Sequence, residues 1–157
     1  MTALGRPRIH LRETGSTNDR ARELAEAGAP HGTLVTADAQ SAGRGRQGRT
    51  WTAPAGHALL ISLVLRGTPP LLPLAAAVAV ADVCGDAAQI KWPNDVLLGG
   101  GKLAGILVEA RLQQGWAVLG IGLNVAVRVE DLPSELRGRA SGPGGRRPGA
   151  RAPPRAP

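Results

Sequence analysis

Gly43-Arg44-Gly45-Arg46-Gln47-Gly48-Arg49-Thr50-Trp51 alternates three glycines with three arginines and closes on a tryptophan. Glycine lets a backbone curve tightly round a ligand and turn its N–H groups toward it. Arginine brings a forked, permanently charged donor set that matches carboxylates and phosphates. The indole adds a flat apolar face. The run suits a loop that closes over a small anion, and the same composition also makes a solvated linker. A second polar set, Lys91-Trp92-Pro93-Asn94-Asp95, interrupts apolar chain. Asp95 for Mg²⁺, Lys91 for phosphate and Asn94 for hydrogen bonding would form a nucleotide site; a surface turn between strands is the plain alternative. Lys102 stands before the apolar run 103–108, placed either to meet an anion or to end a strand in solvent. Asn124, in Gly120-Ile121-Gly122-Leu123-Asn124, is polar in a stretch otherwise apolar and glycine-rich. A buried Asn needs partners, and the glycines imply that something packs close to the backbone. His10, His31 and His57 show no metal-ligand spacing and are given no role.

These residues need a scaffold. Residues 8–12 alternate weakly, as a first strand would. Ser16-Thr17-Asn18-Asp19 offers helix-capping side chains, with Asp19 well placed in a first turn. Ala21, Leu24 and Ala25 follow at helical spacing, and Gly28 and Pro30 stop the helix. Residues 33–37 form a short β-rich stretch, and 58–65 read as a buried strand. Pro69 and Pro70 break the chain before an Ala-rich helix over 71–84. Extended structure resumes over 90–98, turns at Gly99 to Gly101, and continues as strands 103–111 and 116–127 joined in a hairpin at Gln113-Gln114-Gly115. A helical stub is expected over 133–137. The order predicts an α/β domain with a mixed β-sheet flanked by helices rather than a regular βαβ array.

Composition bounds the partners. At 157 residues the chain can form one domain with a real core. Phe and Tyr are absent and only Trp51, Trp92 and Trp116 are aromatic, so the core must come from Leu, Val, Ile and Ala. The net charge of +7 ordinarily suggests nucleic acid. Residues 138–157, however, hold five of the 19 basic residues and no acid, leaving 14 bases against 12 acids elsewhere. The charge belongs to a tail of Gly, Pro, Arg and Ala with a single Ser, which is expected to be disordered. Domain limits of 1–137 and 138–157 follow. Cys84, the single cysteine, reads as a buried thiol. The N-terminus lacks a signal-peptide core and 71–84 is short for a membrane span, so a soluble cytoplasmic protein is expected, with no membrane partner.

Taken together, Gly43 to Trp51, Lys91 to Asp95, Lys102-Leu103-Ala104-Gly105-Ile106 and Gly120 to Asn124 resemble the biotin–protein ligases in order and spacing. Glu13-Thr14-Gly15-Ser16-Thr17-Asn18 and Gln40 fit the same pattern, and the resemblance runs from about Ile9 to Arg128. It implies a class II aminoacyl-tRNA synthetase-like catalytic fold. It also implies ligase chemistry: biotin and ATP give biotinyl-5′-AMP and pyrophosphate, and biotin then passes to a lysine of a biotin carboxyl carrier domain. Ser16, Thr17 and Gln40 would bond the ureido head of biotin, and Asn18 would support them. Gly43, Arg44, Gly45 and Arg46 would fold over biotin and its adenylate, with Lys102 and Arg46 at the reacting groups. Arg49, Lys91, Asn94, Asp95 and Asn124 would serve ATP and Mg²⁺, Asp95 as the metal ligand, and Trp51 would pack on the ligand or adenine. The family's N-terminal DNA-binding extension has no counterpart here, so no specific DNA binding is expected. The family pattern continues beyond the Asn124 strand, so the chain reads as shortened at its C-terminal end. A sheet edge or helix surface left open would favour a homodimer. The alternatives are a catalytically impaired biotin- or adenylate-binding remnant and a lipoate ligase or transferase.

Overall fold

The computed structural model describes residues 4–137 together with Ala140. Strand β1 (Arg8–Thr14) leads into helix α1 (Thr17–Glu26), which returns through Gly28 and Pro30 to β2 (Leu34–Gln40). The Arg/Gly run separates β2 from β3 (Ala58–Arg66). Helix α2 (Leu72–Cys84), β4 (Ala88–Lys91), β5 (Asp95–Leu98), β6 (Gly101–Arg111) and β7 (Trp116–Asn124) complete the order. The strands form a seven-stranded sheet in the order β1-β2-β3-β7-β6-β5-β4. Only β1 and β2 pair in parallel, as a βαβ crossover through α1 demands; the other neighbours are antiparallel. The expected mixed sheet is present.

Period-two alternation sorts the sheet into two faces. On β7, Leu119, Ile121 and Leu123 join the cluster beneath α2, with Leu65, Leu103 and Ile106. Trp116 and Val118 instead join the cluster beneath α1, with Ala21, Ala25, Val35 and Val64. Fully burying a Leu or Ile contributes about 1.5–3 kcal/mol, so the many apolar strand residues compensate for the lack of Phe and Tyr. Trp116 is a core residue at 2% exposure. The α1 face continues along β7 as Gly120 and Gly122, where small residues leave room for the cleft described below.

Four local expectations need correction. The stretch 90–98 is not one strand: β4 and β5 form a hairpin whose turn is Trp92-Pro93-Asn94, because the proline interrupts the ladder. Residues 134–137 form a turn instead of a helical stub, too short to propagate a helix after Pro133. The strand expected to reach residue 127 ends at Asn124. Cys84 is half-buried, packed at the edge of the α2 cluster, since it occupies the last helical position. Of the tail, Ala140 alone is described, bridged in parallel to Lys102; the expectation of disorder for the remainder lies outside the described residues.

Candidate functional site

The Arg/Gly run folds as a miniature hairpin. Trp51 N–H donates to the Gly43 carbonyl at 2.9 Å, Arg44 bridges Thr50, and Gly45 N–H donates to the Arg49 carbonyl at 2.7 Å. The tip, Arg46-Gln47-Gly48, turns through positive φ at Gln47 (57°) and Gly48 (72°). A left-handed glutamine is an uncommon conformation. At the base, a Cβ on Gly43 would sit 2.7 Å from Gln40 Nε2 and would collide with the Trp51 carbonyl. The glycine is therefore required by close approach of the two legs.

The hairpin lays Trp51 across the sheet. Gly105 on β6 and Gly122 on β7 are direct cross-strand partners, and a Cβ on either would meet the indole, at 3.0 Å and 2.5 Å respectively. The paired glycines form a slot for the ring. One register step away, a side chain on Gly120 would collide with Asn18. The glycines of Gly120-Ile121-Gly122 thus admit two close-packed side chains, as the sequence implied. Lys102 Nζ lies 5.6 Å from the centre of the Trp51 ring, a cation–π arrangement. Among the described residues the buried Trp51 Nε1 has no hydrogen-bond partner.

Between hairpin and sheet lies a cleft lined by Ser16, Thr17, Asn18, Gln40, Arg44, Gly45, Arg46, Trp51, Asn94 and Lys102, with Gly105, Gly120 and Gly122 on its floor. Ser16 occupies the N-cap of α1 but its hydroxyl makes no capping bond, contrary to a pure capping role, and it lines the cleft instead. Gln40 Oε1 accepts from the Thr17 backbone N–H at 2.8 Å and from the Thr17 hydroxyl at 3.0 Å. Buried Ser62 lies 2.8 Å from Thr17 Oγ1 and 2.6 Å from Asn18 Oδ1. One wall is thus a fixed array of hydroxyl and amide groups.

The opposite wall is cationic. Lys102 Nζ is 2.8 Å from Asp95 Oδ1. Arg46 donates through Nη1 to Asn94 Oδ1 at 2.9 Å, and Asn94 Nδ2 donates to the Ile106 carbonyl at 3.0 Å. Among the described residues Arg46 has no carboxylate partner, which leaves its charge available to an anion. Arg44 differs: its Nη2 lies 2.6 Å from Glu109 Oε2 and 2.9 Å from Asp19 Oδ1. Its Nη2 is held by two carboxylates, while its Nε has no partner among the described residues and the side chain still lines the cleft.

Other expected residues fall outside the lining. Asn124, 4% exposed, donates to the Lys102 carbonyl at 3.3 Å and so braces the strand that carries the lysine. Arg49 turns outward to Gln47 Oε1 at 3.0 Å. Lys91 is exposed at the end of β4, and Trp92 beside it is 77% exposed. Gly43 lies at the hairpin base. Sequence reasoning missed Glu109, Ser62 and Gly105 as site residues; the first two carried a signal, being polar in apolar runs. No described helix is long and apolar enough to cross a membrane.

Residues 11–125 match the Biotin/lipoate A/B protein ligase family. The bifunctional ligase/repressor BirA of Bacillus spizizenii is 42% identical over 146 residues, covering 85% of this chain and 45% of that protein. The biotin–[acetyl-CoA-carboxylase] ligase of Mycobacterium tuberculosis is 42% identical over 134 residues, covering 76% and 50%. The structure of biotin protein ligase from Aquifex aeolicus in complex with biotin and ATP superposes with a TM-score of 0.73 at 32% identity, covering 87% of this chain and 59% of that one. The chain spans about half the length of the curated relatives it matches.

Proposed function

The chain belongs to the Biotin/lipoate A/B protein ligase family, and from that premise we propose that its cleft binds biotin and ATP and makes biotinyl-5′-AMP. An oxygen of the biotin carboxylate attacks the α-phosphorus, the bond to the β-phosphate oxygen breaks, and pyrophosphate leaves. The ε-amine of a lysine on a biotin carboxyl carrier domain then attacks the acyl carbon and expels AMP. The observation that carries the reading is one cleft lined both by the neutral hydrogen-bonding groups of Ser16, Thr17 and Gln40 and by the cations Arg46 and Lys102, the lysine paired with Asp95. A ureido head suits the first wall; a carboxylate and a phosphate suit the second.

Positioning and charge neutralisation then supply the catalysis. Lys102 is the group proposed to meet the biotin carboxylate and α-phosphate. Arg46 closes over the adenylate from the hairpin tip. The acyl phosphate is open to hydrolysis, so the hairpin also serves by keeping water out. Trp51 offers its remaining face and its unpartnered N–H to the ligand. Asn94 orients Arg46, while Arg49, Lys91 and Asn124 are assigned to the surroundings of ATP rather than to the cleft wall.

Among the described residues no three His, Cys, Asp or Glu side chains gather to hold a metal. Mg²⁺ commonly uses one carboxylate together with substrate phosphates, and the part-buried Asp95 fits that mode. Asp95 is the proposed ligand, and the ion would neutralise charge on the phosphates. A cytoplasmic location and a homodimer complete the proposal. The test is incubation of the chain with biotin and Mg-ATP, with pyrophosphate release and mass spectrometry of the nucleotide as readouts. Biotinyl-5′-AMP is expected; biotin binding without pyrophosphate release would indicate a binding remnant instead.

A further inference from the structure

Glu109 lies on β6 two residues beyond the cleft-lining Leu107 and on the same face of the strand. Its side chain is 20% exposed, and a carboxylate so placed destabilises the fold unless it is paired. One oxygen, Oε2, accepts from Asn18 Nδ2 at 2.8 Å and from Arg44 Nη2 at 2.6 Å. Arg44 also meets Asp19, which Arg22 reaches at 3.3 Å. Two cations and two carboxylates balance at this node, while the buried Arg44 Nε has no hydrogen-bond partner among the described residues. Asn18 is fixed from both ends, since its Oδ1 faces Ser62 at 2.6 Å while its Nδ2 serves Glu109. Three separate parts of the chain therefore meet at one carboxylate: the sheet, the head of α1 beside Ser16 and Thr17, and the root of the Arg/Gly hairpin.

We propose that Glu109 is a positioning residue that ties the hairpin root to the ligand-reading turn at the head of α1, so that the two walls of the cleft are set as one unit. It touches neither reacting group and acts through Arg44 and Asn18. The ligand part of this inference rests on the function proposed above; the mechanical part does not.

The test uses Glu109→Gln in the full chain, which retains shape and an acceptor but removes the charge that holds Arg44. Limited trypsin digestion without ligand reads the hairpin directly, through cleavage after Arg46 and Arg49, with cleavage after Arg111 as the internal reference. A selective rise of about tenfold at the hairpin is expected, with the reference site and the thermal midpoint little changed. Biotin affinity, measured by titration calorimetry, is expected to fall about tenfold. In an Arg44→Gln background, Glu109→Gln should add less than about twofold to hairpin cleavage, because the contact it breaks is already gone. Should Glu109→Gln fail to fold, Arg44→Gln alone removes the other half of the contact and predicts the same selective rise. Unchanged hairpin cleavage, or equal rises at every site, would overturn the positioning role. A parent chain that ignores biotin would sink the functional reading while the digestion still judges the node.

Discussion

The root and the tip of the Arg/Gly hairpin contain the same residue type and face opposite demands. Arg44, at the root, is held between Glu109 and Asp19. Arg46, two residues on, has an amide partner in Asn94 and lies on the cleft wall. The root is paired, close-packed and charge-closed; the tip bends through positive φ at Gln47 and Gly48. An alternating motif therefore divides its labour by position. On the proposed reading, one arginine anchors the hairpin so that the other can be offered to an anion without carrying the loop's attachment as well.

The contrast breaks most clearly at Arg46. Arg46→Gly should leave the hairpin root in place and release the adenylate faster by a factor of about 10²–10³, the scale of losing one preorganised charge donor. Rapid filtration of the chain charged with radiolabelled biotinyl-5′-AMP checks this; retention equal to the parent would remove the tip from its proposed role. Next in size is Gly122→Ala. Its Cβ would press on the indole at 2.5 Å, a clash of about 1–3 kcal/mol. Tryptophan emission should shift as Trp51 lifts, and biotin affinity should fall about tenfold; an unchanged spectrum would show that the slot does not seat the ring.

The smallest effect concerns an arginine–aspartate pair outside the hairpin. A hydrogen bond from Arg128, 3.0 Å from Asp131 Oδ2, together with its charge, holds the Asp131 carboxyl below its ordinary value of 3.8. A depressed carboxylate stabilises the fold above pH 3.8 and loses that contribution as pH falls through the lowered value. Arg128 is 69% exposed, so solvent screens the pair and the gain is slight. NMR titration should show Asp131 returning toward 3.8 in Arg128→Ala, with cleft ligand affinity unaltered. If that variant weakened biotin binding as much as Gly122→Ala, the site would extend beyond its described walls.

Much of this was legible in the sequence because the signals are local. Gly120 and Gly122 advertised a close approach, and the structure supplies Asn18 and Trp51 as what approaches. Strand and helix order followed from apolar periodicity and from Gly28, Pro30, Pro69 and Pro70. The hairpin turn at Trp92 to Asn94 was obscured because a four-residue strand on either side of a proline resembles one interrupted run. Glu109 stayed hidden for a different reason. Its partners Asn18 and Arg44 are 91 and 65 residues away in the chain, and no spacing rule connects them; only the sheet's register and the loop's return bring them together. Arg44 and Arg46 were likewise indistinguishable by type, and their separation needed the carboxylates to be placed in space.

The central claim is that this cleft takes biotin against the cations Arg46 and Lys102. Calorimetric titration of the chain with biotin, alongside Lys102→Gln, tests it most directly. Saturable one-to-one binding that weakens at least about tenfold in the variant is the predicted result, the scale of a lost charge-assisted contact. No detectable binding by the parent, or equal binding by both proteins, would contradict it.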